Sequence, residues 1–295
     1  MTKPINLATK EARLLFFVWA YTLLVILWGA WVRISHSGDG CGDHWPLCGG
    51  ALIPSFQQTK TWIEYTHRIM SGLYGLLVIF MFFRLRARIH LIPRQQSFLK
   101  KLILSFLILM ITEALLGAIL VKGQLVTVND SLLRMMVMIF HQLNSFLLTG
   151  VTYLLYRIFK SPNEVYSTKN QKYLFLFLLL PITGAIASLS TTLFPSVSLW
   201  QGIIDDFSHA SHLFIRLRAL HPLFAVLIAT GFIIWCYAKN HSRLALEFLI
   251  AITVGIITLL TLSPVYLKLA HLLIAHLLWA RVLYTLVNLP DSNNR

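Results

Sequence analysis

The sequence predicts an all-α integral membrane protein of eight transmembrane helices, arranged as two pseudosymmetric four-helix bundles with both termini cytoplasmic. Three observations predict it. Of 295 residues, 57% are hydrophobic and only 12% are charged, against about 25% charged in soluble domains. Apolar runs of the length needed to cross a bilayer recur eight times, near 14–33, 63–84, 102–121, 132–156, 173–193, 213–238, 244–262 and 266–288. The basic residues then fall mainly on one side: Lys3, Lys10, Arg13, the linker Arg84 to Lys101, Arg157, Lys160, Lys169, Lys172, Lys239, Arg243 and Arg295 make 16 of the 25. The positive-inside rule makes that side cytoplasmic. It also explains the net charge of +14 without nucleic-acid binding.

The first run, Leu14 to Val32, carries no charge. It is too long for a signal-peptide core and is followed by further spans, so it reads as a retained helix. Two long connections lie on the opposite, outer side, at Ile34–Trp62 and Phe194–His212; long loops without repeats are often functional. The first holds Cys41 and Cys48. Three cysteines exclude a disulfide-rich scaffold. On an oxidising side this pair can close a structural disulfide or exchange thiols, while metal binding with His44 fits no common zinc spacing. Cys236 reads as packing.

The second helix opens on Trp62-Ile-Glu64-Tyr-Thr-His67-Arg68. Residues three apart share a helix face, and ionisable groups in a bilayer signal function by default. Glu64 can therefore move a proton or stabilise a developing cation beside His67. The third helix adds Glu113, read as either structural or a relay member. Glu247 in the seventh reaches towards the cytoplasmic interface.

His67, His141, His221 and His271 lie in the second, fourth, sixth and eighth helices, about 8–14 Å below the outer surface at 1.5 Å per residue. A single intramembrane His is often an interhelical hydrogen-bonding group. Four at matched depth on alternate helices point instead to two imidazole pairs, for which ligation of heme iron is a natural use. His276, about 140° round the helix from His271, reads as a neighbour, and the choice between the two stays open. Arg68, Arg216 and Arg218 either meet anionic heme propionates or snorkel to headgroups. Gly29-Ala30 precedes His67 by 38 residues and Gly184-Ala185 precedes His221 by 37, which suggests a doubled unit with halves 1–160 and 161–295.

The motifs Trp28-Gly-Ala-Trp-Val-Arg33, Ser37-Gly38 through Cys41, Trp45-Pro-Leu-Cys48 and Glu64-Tyr-Thr-His67-Arg68 resemble the heme A synthase family. Phe194-Pro195, Asp206-Phe-Ser208 and Arg216-Leu-Arg218-Ala-Leu-His221-Pro extend the likeness over the chain. The resemblance implies a heme b cofactor between His221 and His271, with Arg218 at its propionates. It implies substrate heme O at His67, His141 and Arg68, in the first half. The implied reaction oxidises the heme O C8 methyl to a formyl group through successive hydroxylations, with Glu64 as the essential acid and Cys41 and Cys48 as the paired loop cysteines. It implies a bacterial inner membrane, a role in cytochrome oxidase assembly, heme O received from a heme O synthase, an electron donor the sequence does not identify, and room for a homo-oligomer. The rivals are a diheme b-type electron-transfer cytochrome, which leaves Glu64 without a task, a non-catalytic heme carrier, and a transporter, which predicts no such depth match.

Overall fold

A computed structural model describes residues 2–55, 58–166 and 171–288. Lys169 and Arg295, counted above among the basic residues, lie outside the described residues. The described residues are all-helical, with ten α-helices and eight spans long and apolar enough to cross a membrane. It is a multi-pass membrane protein.

The helices run α1 (Thr2–Ile34), α2 (Thr59–Ala87), α3 (Gln96–Lys122), α4 (Leu132–Lys160), α5 (Gln171–Leu193), α6 (Leu199–Phe207), α7 (Leu213–Arg218), α8 (Leu220–Ala238), α9 (Ser242–Leu260) and α10 (Val265–Val287). Several extend beyond the apolar runs, because a helix keeps its backbone bonds after the sequence turns polar. α1 thereby includes Glu11, a carboxylate fully buried towards the N-terminal end of the helix and held by both oxygens of its group to Arg84, at 2.7 and 2.9 Å. Such pairing lets a charge persist in apolar surroundings.

Two features were not anticipated. A short helix, α6, stands in the second outer loop; the Ser198 side chain caps its start by accepting from the Gln201 amide at 3.2 Å. The sixth span is divided at Ala219 into α7 and α8. Pro222 sits three residues into the new segment; it lacks an N–H and its ring opposes the carbonyl four residues back, at Arg218. The break falls between Arg218 and His221.

α4 and α10 occupy the centre. α4 packs on α1, α3, α5 and α10, and α10 on α9, α4, α1 and α5. The Trp279 indole donates to the Phe146 carbonyl at 2.6 Å across this seam. A side chain at Gly150 would lie 2.5 Å from that indole nitrogen, so only hydrogen fits there. Small residues at such crossings are the usual route to close helix packing in lipid.

Candidate functional site

The connection between α1 and α2 is fastened to the start of α2. The Thr61 hydroxyl donates to the Gly40 carbonyl at 2.7 Å, and the Cys41 amide donates to Glu64 Oε2 at 2.8 Å. A side chain at Gly40 would stand 2.6 Å from the backbone of Lys60, so the close approach requires glycine. Cys41 and Cys48 form a disulfide and both are buried.

Glu64 is 3% exposed. Its second oxygen, Oε1, accepts from Arg68 Nη2 at 2.6 Å and Nε at 3.2 Å. The same guanidinium donates to the carbonyls of His44 (2.7 Å), Gly42 (3.3 Å) and Leu47. Arg68 thus fixes the carboxylate and gathers the disulfide loop over it. Hydrogen bonds from a charged donor are strong enough to set such a rotamer.

Glu64 lines a cavity of about 340 Å³ between α1, α2, α3 and α4, together with His67, His141, Glu113, Arg33 and Arg134. That volume lies within the range of ligand pockets. His67 is seated against α1: a Cβ at Gly29 would approach its Cε1 to 2.8 Å. Its buried Nδ1 has no hydrogen-bond partner. His141 is braced differently. Glu113 Oε1 stands 3.3 Å from its Nδ1, and Asn144 holds Glu113 Oε2 at 2.6 Å.

In the second half, the rings of His221 and His271 are 6.2 Å apart, centroid to centroid, with planes at 71°. Two iron–nitrogen bonds of about 2 Å, plus about 1 Å from each nitrogen to its ring centre, sum to roughly the same span, so the pair fits bis-imidazole ligation of one iron. Each ring lies over a glycine of the neighbouring helix, with a Cβ at Gly184 reaching 3.2 Å from His221 Cε1 and one at Gly255 reaching 3.0 Å from His271 Cε1. His221 Nδ1 meets the Thr183 hydroxyl at 3.1 Å, leaving Nε2 free. A second partner that fixes one nitrogen is the usual way to aim the other at a metal. His276 is fully buried, 2.9 Å from the Thr149 hydroxyl and stacked on Phe146 at 4.0 Å. It faces α4, so the pair is formed by His271.

Arg218 is buried and donates to Asp206 at 2.6 Å and to the Gly202 carbonyl at 3.1 Å, tying α7 to α6. Arg216 is exposed. Arg33, Arg134 and Lys268, all at outer helix ends, carry no role in the sequence reading; a cation at the end of an apolar run looks like a span boundary.

Fold and site together define a class: a multi-pass helical membrane protein with paired imidazoles inside its bundle and a carboxylate on a cavity wall. The family described as cytochrome oxidase assembly protein, COX15-CtaA, matches residues 12–283, and the chain belongs to it. It is similar to a protoheme IX farnesyltransferase of Thermus thermophilus, 34% identical over 283 residues that make up 88% of this chain and 46% of that protein. It is also similar to heme A synthases of Exiguobacterium sp., 51% identical over 63 residues (21% of each chain), and of Alkalihalophilus pseudofirmus, 43% identical over 96 residues (32% of this chain, 31% of that one). The chain thus spans less than half the length of the farnesyltransferase, and the matches to the synthases cover a third of their length or less.

Proposed function

We propose that this protein carries out the heme A synthase reaction, oxidising the C8 methyl group of heme O to a formyl group for cytochrome oxidase. The observation that carries the reading is the shared cavity: a fixed carboxylate, Glu64, and two histidines, His67 and His141, line one space. Family membership and the high local identity to proteins named heme A synthase support it. Substrate heme O is bound in the first half by His67 and His141. His221 and His271 would hold a heme b, which would supply one-electron exchange there. The protein resides in a bacterial inner membrane with both termini cytoplasmic, as the side bias of its basic residues supports. A heme O synthase delivers the substrate.

Methyl becomes formyl through two hydroxylations and loss of water from the geminal diol. Counted with water as oxygen source, methyl plus water gives formyl, four protons and four electrons, which an acceptor removes. Glu64, held between the Cys41 amide and Arg68, neither rotates nor meets bulk water freely. A carboxylate so fixed stabilises positive charge developing at the methyl carbon as electrons leave it, and accepts a proton from the water that adds there. Preorganisation matters because the group need not reorient as charge appears. Arg68 acts as a positioning residue.

Pigment analysis of protein purified from cells that make heme O tests this. The wild type accumulates hydroxymethyl and formyl hemes, and Glu64→Gln binds heme without making them. Unaltered hemes in the wild type would instead identify an electron-transfer cytochrome or a carrier.

A further inference from the structure

We infer that Arg33, Arg134 and Lys268 form a carboxylate-binding site at the outer end of the cavity, on the seam between the two halves, and that it takes the propionates of the heme in that cavity. The inference rests on the proposed reading of the cavity as the substrate site. It departs from the sequence expectation, because the guanidiniums of Arg68 and Arg218 are already engaged by Glu64 with the disulfide loop and by Asp206.

Arg134 carries the argument. It is 2% exposed and lines the cavity, and its Nε has no hydrogen-bond partner. Its Nη1 donates to the carbonyls of Thr127 (3.0 Å) and Asn129, which orient the guanidinium without neutralising it. Arg33, also on the cavity wall, has a buried and unpartnered Nε as well. Its Nη2 donates to the Ser188 hydroxyl of α5 at 3.0 Å. One turn along α5, Lys268 reaches the Thr191 carbonyl at 3.3 Å and the Thr192 hydroxyl at 3.4 Å. Arg33 lies within electrostatic reach of both Arg134 and Lys268. The acid acting on Arg134, Asp130, is 58% exposed and stands 3.6 Å from His212.

Three cations gather where their hydrogen-bond partners are neutral oxygens and the one acid nearby is exposed, and buried charge is costly unless paired. Two cavity-lining guanidiniums with an ammonium nearby suit a dianion with two separated carboxylates. The apolar remainder of the cavity suits the macrocycle that carries them. Because Arg33 belongs to α1 and its hydroxyl partner to α5, an occupied site also fastens the first half to the second.

The test compares iron protoporphyrin IX with its dimethyl ester, titrated into the full-length protein in nanodiscs with the second-half site filled. Charge-assisted hydrogen bonds contribute enough that the diacid binds about 10–100-fold more tightly than the diester. Arg134→Gln and Arg33→Gln each lower affinity for the diacid and leave the diester unchanged, which also reports correct folding. Arg134→Lys keeps part of the preference. Equal weakening of both ligands by the Gln variants, or a wild type that does not distinguish them, overturns the inference and returns these cations to lipid headgroups. His141→Ala separates the two claims, since it weakens both ligands if the cavity is the heme site. No effect of His141→Ala would defeat the reading of the cavity itself.

Discussion

The two sets of histidines, His67 with His141 and His221 with His271, stand in different surroundings. In the second, His221 and His271 stand 6.2 Å apart, each laid over a glycine, and the polar contact at the pair is a neutral hydroxyl from Thr183. In the first, His67 and His141 face a cavity that also holds Glu64 and Glu113. Two glycines show how the difference arises. Gly255 and Gly117 each lie five residues before the outer end of their helix, α9 and α3. Gly255 is covered by His271, whereas Gly117 faces open space on the cavity wall. A closed frame suits a resident group that exchanges electrons. An open one with an acid suits a ligand that enters, reacts and leaves.

The largest effect that can break this comparison is at Glu64. Glu64→Gln should lower oxidised heme by more than about 100-fold while the Soret band persists, since preorganised charge is often the largest catalytic contribution. Arg68→Ala should act in the same direction and also destabilise the loop by about 3–5 kcal/mol, because it leaves a buried carboxylate without its partner. Product pigments and a thermal melt measure the two. If Glu64→Gln retained full turnover, the acid would not distinguish the halves.

Next in size, His221→Ala should remove heme from the second half and leave first-half binding intact, as read by heme content and redox titration. His276→Ala is the control on the same helix. It should keep that heme and lose stability, through the hydroxyl of Thr149 and the stacking on Phe146. Loss of heme with His276→Ala would reverse the assignment made from geometry.

A smaller effect sharpens the contrast between the braces. Glu113→Gln should weaken first-half heme by about 10–100-fold, the usual consequence of losing an outer-shell partner of a metal-bound histidine. It should also raise that heme's midpoint potential, because a carboxylate beside the imidazole favours ferric iron. Thr183→Val, its counterpart at His221, removes a neutral contact and should shift affinity less. Equal shifts in both variants would remove the electrostatic distinction.

How much of this was legible follows from what kind of signal each residue sends. Glu64 and the four histidines stand out because polar groups are rare in apolar runs, and their parity and depth follow from counting along helices. Contacts could not be counted that way. That Arg68 is held by the loop depends on where Gly42, His44 and Leu47 fold back, which no spacing encodes. Arg33, Arg134 and Lys268 each look like a span boundary, and only the way α1, α4, α5 and α10 come together in the bundle brings them near one another. Glu11 was overlooked because the first apolar run begins after it. The break before His221 had a visible cause in Pro222, yet a proline so near a helix start is ordinarily tolerated.

The finest test lies in the glycines under the rings. Alanine at Gly29, Gly255 or Gly184 would bring a methyl to 2.8, 3.0 or 3.2 Å of the imidazole Cε1 of His67, His271 or His221. In each case the atom that must yield belongs to a ring on a rotatable side chain, so stability should fall only modestly, by about 1–3 kcal/mol at most. The ring's orientation should change instead. Gly184→Ala, with the most room, should produce the smallest displacement, one that also strains the hydrogen bond between His221 and Thr183. Electron paramagnetic resonance of the ferric protein reads the imidazole plane angles directly. The order Gly29→Ala, Gly255→Ala, Gly184→Ala in spectral shift is expected only if all three histidines bind iron in the orientation the glycines allow. A large shift from Gly184→Ala with none from Gly255→Ala would mean that the second-half frame closes differently around its ligand.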